Sequence, residues 1–379
     1  MTTINPIYLD YNATTPLLPE VVDAMLPYLR EHFGNPSSSH MYGRQTHDAV
    51  EKARFQVAAL IGATPSEIVF TSGGTEANNL AIQGAVQLRP GKNHVVTSVI
   101  EHPATARPCQ FLEQQGLPVT WLGVDETGRV KEKDVSAALD DRTFLVTLMH
   151  ANNETGTLQP IAEVANAVHE AGALLHTDAA QSIGKVEVKV NELGVDFLSI
   201  AGHKLYAPKG VGALYIRYGA MVSPVLRGAG HERGIRPGTE NVASIVGLGV
   251  ACEIAGRTMK DESGRIKKLR DHLFALLQKD IHGIRLNGHP QERLPNTLNV
   301  QFPGVSASTL LANTPQIAAS GGSACHSGSE KPSAVLLAQG VTPEAAITSV
   351  RLSLGRLTTE GDVQLAAAAL TTSWRQLKG

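Results

Sequence analysis

Apolar positions along the first two thirds of the chain follow two different periods. Stretches with an apolar residue every three or four positions predict amphipathic helices at residues 20–30, 44–61 and 76–88. Short apolar runs that end in glycine or polar residues predict buried strands. These strands lie at residues 68–70, 95–99, 119–124 and 144–149, with two further apolar runs at 173–176 and 197–200. Helices and strands in alternation predict an α/β fold whose mostly parallel sheet is covered on both faces.

The pattern changes after residue 242. An apolar segment at 242–255 is too short to span a bilayer and predicts a buried helix, and a charged helix is predicted at 261–279. Short strands at 284–286 and 297–302 and helices near 333–338 and 361–377 then indicate a smaller α+β unit. We therefore expect a large domain over residues 14–255 and a small domain formed by residues 1–13 and 256–379.

Composition and charge narrow the function classes. The chain has 379 residues, of which 42% are apolar and 18% charged, and its net charge of -2 argues against a nucleic-acid surface or a polybasic membrane patch. The amino terminus has no basic segment followed by an apolar stretch, so we expect no signal peptide and a cytoplasmic protein. Three cysteines without paired ligand spacing predict neither a disulfide framework nor a metal site.

Two residues after neighbouring predicted strands suggest a coenzyme. Asp178 ends one apolar run, and Lys204 follows the next one in the sequence Gly-His-Lys. Pyridoxal phosphate needs a carboxylate to keep its ring nitrogen protonated and an amine to hold its aldehyde as a Schiff base. Ligands of parallel sheets bind at the carboxyl ends of the strands, where both residues fall. The alternative is a helix-capping aspartate and a surface lysine.

Three more segments are candidates for coenzyme contacts. Gly74 and Thr75 lie where a strand turns into a helix, which suits a phosphate but is also typical of a tight turn with a capping threonine. His102 follows a strand and precedes Pro103, so its ring could cover the coenzyme, carry a proton, or simply cap the helix. Asn153 lies in a loop whose amides could bond a phenolic oxygen or a carboxylate.

Two residues near the carboxyl terminus are candidates for substrate chemistry. Cys325 is flanked by glycines and small polar residues, which indicates a thiol on a loop, whereas Cys109 and Cys252 fall in helical stretches and are expected to be structural. Arg351 lies inside an apolar strand, where its planar guanidinium fits either a substrate carboxylate or a buried ion pair.

Taken together, nine segments in this order resemble a known family over almost the whole chain. They are residues 8–16, 33–38, 71–78, 152–156, 176–181, 202–204, 236–241, 323–325 and 351–355. They are similar to the cysteine desulfurases and selenocysteine lyases, which have the class V aminotransferase type of fold, a pyridoxal-phosphate-dependent transferase fold of type I. Residues 324–327 and 236–241 and Ala201 are closest to the bacterial selenocysteine lyase branch.

The resemblance implies a role for each candidate. Lys204 would be the Schiff-base lysine and proton carrier, Asp178 the partner of the ring nitrogen, and His102 the ring stacked on the coenzyme. Cys325 would be the catalytic cysteine, and Arg351 would bind the substrate carboxylate. The remaining implied contacts are with the phosphate (Gly74, Thr75, His203 and, from the other subunit of a homodimer, Thr239), with the ring oxygen or substrate (Asn153, Gln181) and with the substrate (Asn12, Ala13, Asn35).

The chain departs from the family pattern at Ala201, where many desulfurases have a serine or threonine whose hydroxyl contacts the phosphate. The implied reaction cleaves the Cβ–Se bond of L-selenocysteine or the Cβ–S bond of L-cysteine, giving L-alanine, and selenide or an enzyme persulfide that an acceptor protein could receive. The alternatives are a general desulfurase for iron-sulfur or thio-cofactor assembly, another class V aminotransferase, a kynureninase-like hydrolase, or a scaffold or sulfur-relay protein without catalysis.

Overall fold

A computed structural model of the chain describes residues 5–88, 91–321 and 331–378. Within these residues the strands are β1 (Ile7–Tyr8), β2 (Ile68–Thr71), β3 (His94–Ser98), β4 (Val119–Leu122), β5 (Thr143–Met149), β6 (Leu174–Asp178), β7 (Phe197–Ala201), β8 (Gly212–Ile216), β9 (Arg285–Leu286), β10 (Thr297–Gln301), β11 (Ile317–Ala318), β12 (Ser320–Gly321) and β13 (Ser349–Ser353). The α-helices are α1 (Pro19–Arg30), α2 (Met41–Ile61), α3 (Gly74–Val86), α4 (Pro103–Gln114), α5 (Glu132–Ala138), α6 (Ile161–Glu170), α7 (Val190–Leu193), α8 (Val242–Asp280), α9 (Ala307–Ala312), α10 (Ala334–Ala338), α11 (Pro343–Ile347) and α12 (Glu360–Lys378).

The central sheet has seven strands in the order β2-β8-β7-β6-β5-β3-β4. The β4-β3-β5-β6-β7 strands pair in parallel, whereas β8 pairs antiparallel with both β7 and β2. β5, β6, β7 and β8 are buried along their whole length, as expected of strands covered on both faces. The predicted α/β fold with a mostly parallel sheet is confirmed.

A second, antiparallel sheet has the order β12-β13-β10-β9, and β1 pairs in parallel with β11. One large apolar cluster contains residues between Leu18 and Ala255, and another contains Leu9 together with residues between Leu269 and Leu370. Helix α8 contributes side chains to both clusters. The division into domains at residues 14–255 stays a prediction.

Helix α8 is longer than the sequence pattern indicates. The predicted helices 242–255 and 261–279 form one uninterrupted helix of 39 residues, so their separation was wrong. The segment between them contains no proline, and a glycine within a helix costs only about 1 kcal/mol, so the helix continues through Gly256 and Gly264. Among the described residues, this is the one helix long and apolar enough to cross a membrane, yet 61% of its apolar window is buried inside the protein, as in a core helix.

A buried ion pair fixes the loop that follows β8. Arg54 of α2 donates from both terminal nitrogens to the Glu232 carboxylate, at 2.7 and 2.8 Å. Glu232 also accepts the backbone N–H of Phe70 at 2.8 Å, and the guanidinium lies over the Phe70 ring. Glu232 and Arg233 both have positive φ, which non-glycine residues adopt at a cost. The pair therefore holds a strained turn ahead of Thr239.

Replacing Glu232 with alanine should lower the free energy of unfolding by about 3 kcal/mol, because the buried Arg54 then keeps only the exposed Glu51 carboxylate as a counter-charge. Denaturant unfolding measures the change. As the matched control, Asp280→Ala breaks the exposed Arg375–Asp280 pair and should cost under about 1 kcal/mol. Equal losses in the two variants would show that burying the Arg54–Glu232 pair does not increase its contribution to the free energy of unfolding.

Candidate functional site

The carboxyl ends of β6 and β7 open into one cavity of about 180 Å³. Asp178 is the last residue of β6, and Lys204 ends the short 3-10 turn Gly202–Lys204 that follows β7. The first residues of α3 close another side of the cavity. The predicted residues that line it are Gly74, Thr75, His102, Asn153, Asp178, Gln181, His203 and Lys204.

The Asp178 carboxylate is buried and held at both oxygens. One oxygen accepts from the Asn78 side-chain amide at 2.7 Å, and the other accepts from the backbone N–H of Ala180 at 2.9 Å. Each oxygen keeps further acceptor capacity, because a carboxylate accepts about four hydrogen bonds. This arrangement suits a carboxylate that must hold a protonated ring nitrogen in one position.

The Lys204 amine lies in the same cavity as the Asp178 carboxylate. Its Nζ donates to the backbone oxygens of Asn12 and Ala13, at 2.6 and 2.8 Å. Burial and then the charge of Arg351 lower the pKa of Lys204 to about 8, against the opposing charges of Asp178 and Asp10. A lysine with this pKa supplies far more neutral amine near pH 7 than an ordinary lysine does.

The amino end of α3 is suited to an anion. Gly73 precedes it with φ of 148°, a conformation that favours glycine, and no side chain caps its first N–H groups. Unpaired N–H groups and the helix dipole attract phosphate. His203 lies beside this end, and burial together with Lys204 lowers its pKa to about 4. Ala201 also lines the cavity and offers no hydroxyl there.

His102 caps helix α4 and faces the cavity at the same time. Its Nδ1 accepts the backbone N–H of Ala104 at 3.1 Å, so the proton of the neutral ring is on Nε2. Burial lowers the pKa of His102, as does Lys204, against the opposing effect of Asp178. A neutral imidazole in this position can stack on a planar ring and donate from Nε2.

Arg351 and Asn12 lie next to the cavity rather than in its wall. Arg351 is buried in β13 and donates to Asp10 at 2.8 Å and to the backbone oxygen of Asn153 at 2.9 Å. Its Nε is buried and has no partner among the described residues. The Asn12 side chain bonds Thr297 and Asn296, so it is its backbone oxygen that reaches Lys204.

Three predicted residues lie apart from this cavity or beyond the described part of the chain. Asn35 is exposed, and its side chain accepts from the backbone of Ser37. Thr239 is exposed as well and does not line the cavity. Cys325 lies outside the described residues. The other two cysteines, Cys109 and Cys252, are buried, and burial raises the pKa of both thiols.

Some residues at the site were missed by the sequence reasoning. Asn78 holds Asp178, and Asp10 pairs with Arg351. Glu101, which precedes His102 in the chain, is buried and accepts from Ser98 and from the backbone of Met149, and burial raises its pKa to about 8. A polar residue on the buried face of a helix, as Asn78 is on α3, is the signal that could have found one of them.

The apo-protein should capture an aldehyde coenzyme at a rate that follows the neutral form of Lys204. Because the pKa is lowered to about 8, the rate should rise about tenfold per pH unit below pH 8 and level off above it. Rapid-mixing absorbance measurements from about pH 6 to about pH 10 test this. A rate that still rises at pH 10 would mean that the lysine has its ordinary pKa.

Comparison with known proteins decides the family. The family model described as "Aminotransferase class-V" matches residues 7–365. The chain belongs to this family. Among curated class V relatives, it is 48% identical to "Cysteine desulfurase IscS" of Dictyoglomus turgidum, covering 94% of this chain and 91% of the relative. It is 45% identical to "Cysteine desulfurase" of Mus musculus, covering 96% and 80%.

Solved structures agree with this membership of the class V aminotransferases. A structure called "NIFS-LIKE PROTEIN" superposes with a TM-score of 0.91 at 36% identity, covering 98% of this chain and 99% of that one. The structure "SspA in complex with cysteine" has a TM-score of 0.81 at 37% identity, covering 92% and 98%. The predicted family and fold are confirmed.

Pyridoxal 5′-phosphate is the coenzyme of this family. The cavity fits it by the chemistry of its residues: a buried carboxylate, a lysine with a lowered pKa and an uncapped helix amino end meet in one space. The class V aminotransferases are enzymes, so the non-catalytic scaffold considered from the sequence is disfavoured.

Proposed function

We propose that this protein is a pyridoxal-phosphate-dependent cysteine desulfurase, which removes the sulfur of L-cysteine and releases L-alanine. The observation that carries the proposal is the cavity in which Lys204 and Asp178 lie together, in a chain whose curated relatives at 45–48% identity are called cysteine desulfurases. Lys204 and Asp178 would have the roles that the family resemblance implies for them.

When bound, the coenzyme withdraws electrons from the bonds around the substrate Cα. Asp178 would hold the proton on the ring nitrogen, with Asn78 and Ala180 fixing its two oxygens. Lys204 would take the Cα proton and return it, a task favoured by a pKa near the working pH. His102 would cover the ring, and Gly74, Thr75 and His203 would hold the phosphate.

Cys325 would perform the sulfur transfer. Its thiolate attacks the substrate sulfur, so that an S–S bond forms while the Cβ–S bond breaks. The electron pair of the broken bond goes to Cβ, which takes up a proton and becomes the methyl group of alanine. Cys325 is left as a persulfide, whose outer sulfur can pass to an acceptor thiol.

The proposed function is tested by incubating the purified holoenzyme with L-cysteine and a reducing thiol. Alanine and sulfide should form in equal amounts over many turnovers. Formation of a keto acid from cysteine, without alanine, would instead show transamination and would refute the desulfurase assignment.

Selenocysteine is the second proposed substrate. Ala201 in the cavity wall and segments 324–327 and 236–241 resemble the selenocysteine lyase branch, and selenide is the better leaving group. The preference between the two amino acids, the acceptor protein and a cytoplasmic location stay predictions. Alanine release from each amino acid at matched concentrations measures the preference.

Replacing Arg351 with glutamine should raise KM for L-cysteine, because a charge-assisted bond to the substrate carboxylate is lost. Such bonds contribute about 1.5–3 kcal/mol, so kcat/KM should fall roughly 10- to 150-fold, mostly through KM. Steady-state kinetics give the split. An unchanged KM would place the carboxylate elsewhere and leave Arg351 as the partner of Asp10 alone.

We propose further that the protein works as a homodimer with shared sites. Thr239 is exposed and lies outside its own subunit's cavity, while the same loop leaves a buried Glu240 oxygen without a partner among the described residues. The surface also carries the stacked and exposed rings of Phe33 and Tyr42, which a second copy could cover.

Mixed dimers of Lys204→Ala and Thr239→Ala subunits test this sharing. If Thr239 reaches the phosphate of the partner's site, each mixed dimer regains one intact site and therefore activity. If Thr239 serves its own subunit, no intact site forms and the mixture stays inactive. A fully active monomer in sedimentation experiments would also refute the proposal.

A further inference from the structure

Lys185 is a half-buried lysine that has no role in the reaction described above. It lies one turn after Gln181, and its Nζ donates to the backbone oxygen of Gln181 at 2.9 Å and to its side-chain Oε1 at 3.1 Å. Its own backbone oxygen accepts from Ser263 of α8. The Lys185 side chain thus bonds Gln181, which lines the cavity, but Lys185 does not line the cavity itself.

Lys185 at one end and the Asn12 backbone oxygen at the other determine the orientation of the Gln181 amide. A lysine ammonium only donates, so the amide end that faces Lys185 must be the carbonyl oxygen. The other end is then the NH₂ group, which donates to the Asn12 backbone oxygen at 3.0 Å. The NH₂ group has a second hydrogen, and Gln181 lines the cavity. A neutral lysine amine would still have two hydrogens to donate to its two acceptors, the backbone oxygen and Oε1 of Gln181.

We propose that Lys185 is a positioning residue, which fixes the Gln181 amide so that an N–H, and not the carbonyl, faces the phenolic oxygen of the coenzyme. This inference rests on the proposed function. The pKa of Lys185 is lowered to about 7, first by burial and then by the charges of Lys204 and Arg351. Lys185 therefore interacts electrostatically with these two residues. Without Lys185, the Gln181 amide would be oriented only by the Asn12 backbone oxygen, which also accepts from Lys204.

The orientation has a spectroscopic consequence. An N–H bonded to the phenolic oxygen stabilises its anionic form, and this favours loss of the proton from the nitrogen that links Lys204 to the coenzyme. A flipped amide would instead place a carbonyl against this oxygen. Lys185→Met should therefore raise the pKa of the linking nitrogen by about one unit, a tenfold change in proton affinity.

The test is a pH titration of the visible absorbance band of the holoenzyme, which needs no turnover. Lys185→Met should move the midpoint up by about one unit, and Lys185→Arg, which also only donates, should restore it. Lys189→Met is the matched control, because Lys189 donates to the Leu60 backbone oxygen away from the cavity, and its midpoint should not move. If Lys185→Met does not fold, Lys185→Leu replaces it, since leucine has no hydrogen-bonding group either, and the same upward shift is expected.

A double variant separates positioning from a direct effect of charge. In a Gln181→Ala background, Lys185→Met should produce no further shift. An equal shift with and without Gln181, or an unmoved midpoint in Lys185→Met, would overturn the inference while leaving the desulfurase proposal intact. A holoenzyme of the unchanged sequence with no absorbance band of a lysine-linked coenzyme would instead refute the proposed coenzyme linkage, and a band that does not titrate would overturn the inference alone.

Discussion

Replacing Lys204 with alanine is expected to lower alanine release from L-cysteine by roughly 10⁴-fold, the upper range for losing a positioned proton carrier. Lys204 is the amine in the cavity, and its pKa of about 8 makes it both a nucleophile for the coenzyme and a base for the substrate. The coenzyme can still bind through Asp178 and the amino end of α3, but without a covalent link.

Borohydride reduction followed by peptide mapping checks this directly. In the unchanged protein, the coenzyme should be fixed to the peptide that contains Lys204, and in Lys204→Ala to none. Lys189→Ala is the control, because Lys189 lies outside the cavity and donates to a backbone oxygen. This variant should behave like the unchanged protein. Labelling of any other lysine would refute the assignment.

Replacing Cys325 with alanine should abolish alanine formation from L-cysteine while leaving measurable activity on L-selenocysteine. Sulfur removal needs a thiolate to attack the substrate sulfur, and the two other cysteines are buried with pKa values raised by burial, so neither can take over. Selenide is a better leaving group than sulfide and can depart with less assistance from the Cys325 thiolate. The two losses should therefore be unequal.

Alanine release from both amino acids, measured with the same preparation, gives the ratio of the losses. Cys252→Ala is the control for removing a thiol, and any loss it causes should be equal for the two substrates. Complete loss of both activities in Cys325→Ala would indicate one common mechanism. Unchanged turnover of cysteine would remove Cys325 from the chemistry.

Much of the fold could be predicted because its signals are local. Strands buried on both faces are continuous apolar runs, and so β5, β6 and β7 were predicted to within one or two residues of their observed ends. Helix α8 was divided in two because its apolar first half and charged second half read as different elements. Its continuity depends on packing against two apolar clusters, which the local pattern does not show.

The cavity positions of Asp178 and Lys204 were predictable because one residue ends a strand and the other comes just after the next strand. Residues that act through another side chain gave no such signal. Asn78 is separated from Asp178 by 100 positions, and Lys185 matters only through the amide of Gln181. The proposed contact of Thr239 would be with a second subunit, which one sequence does not describe.

The most direct measurement is a single turnover of the purified holoenzyme with one equivalent of L-cysteine and no added thiol. The account predicts about one alanine per site and one extra sulfur atom on the peptide that contains Cys325, found by mass spectrometry after digestion. Unreacted cysteine, or a keto acid with no sulfur on Cys325, would contradict the claim that this cavity carries out desulfuration.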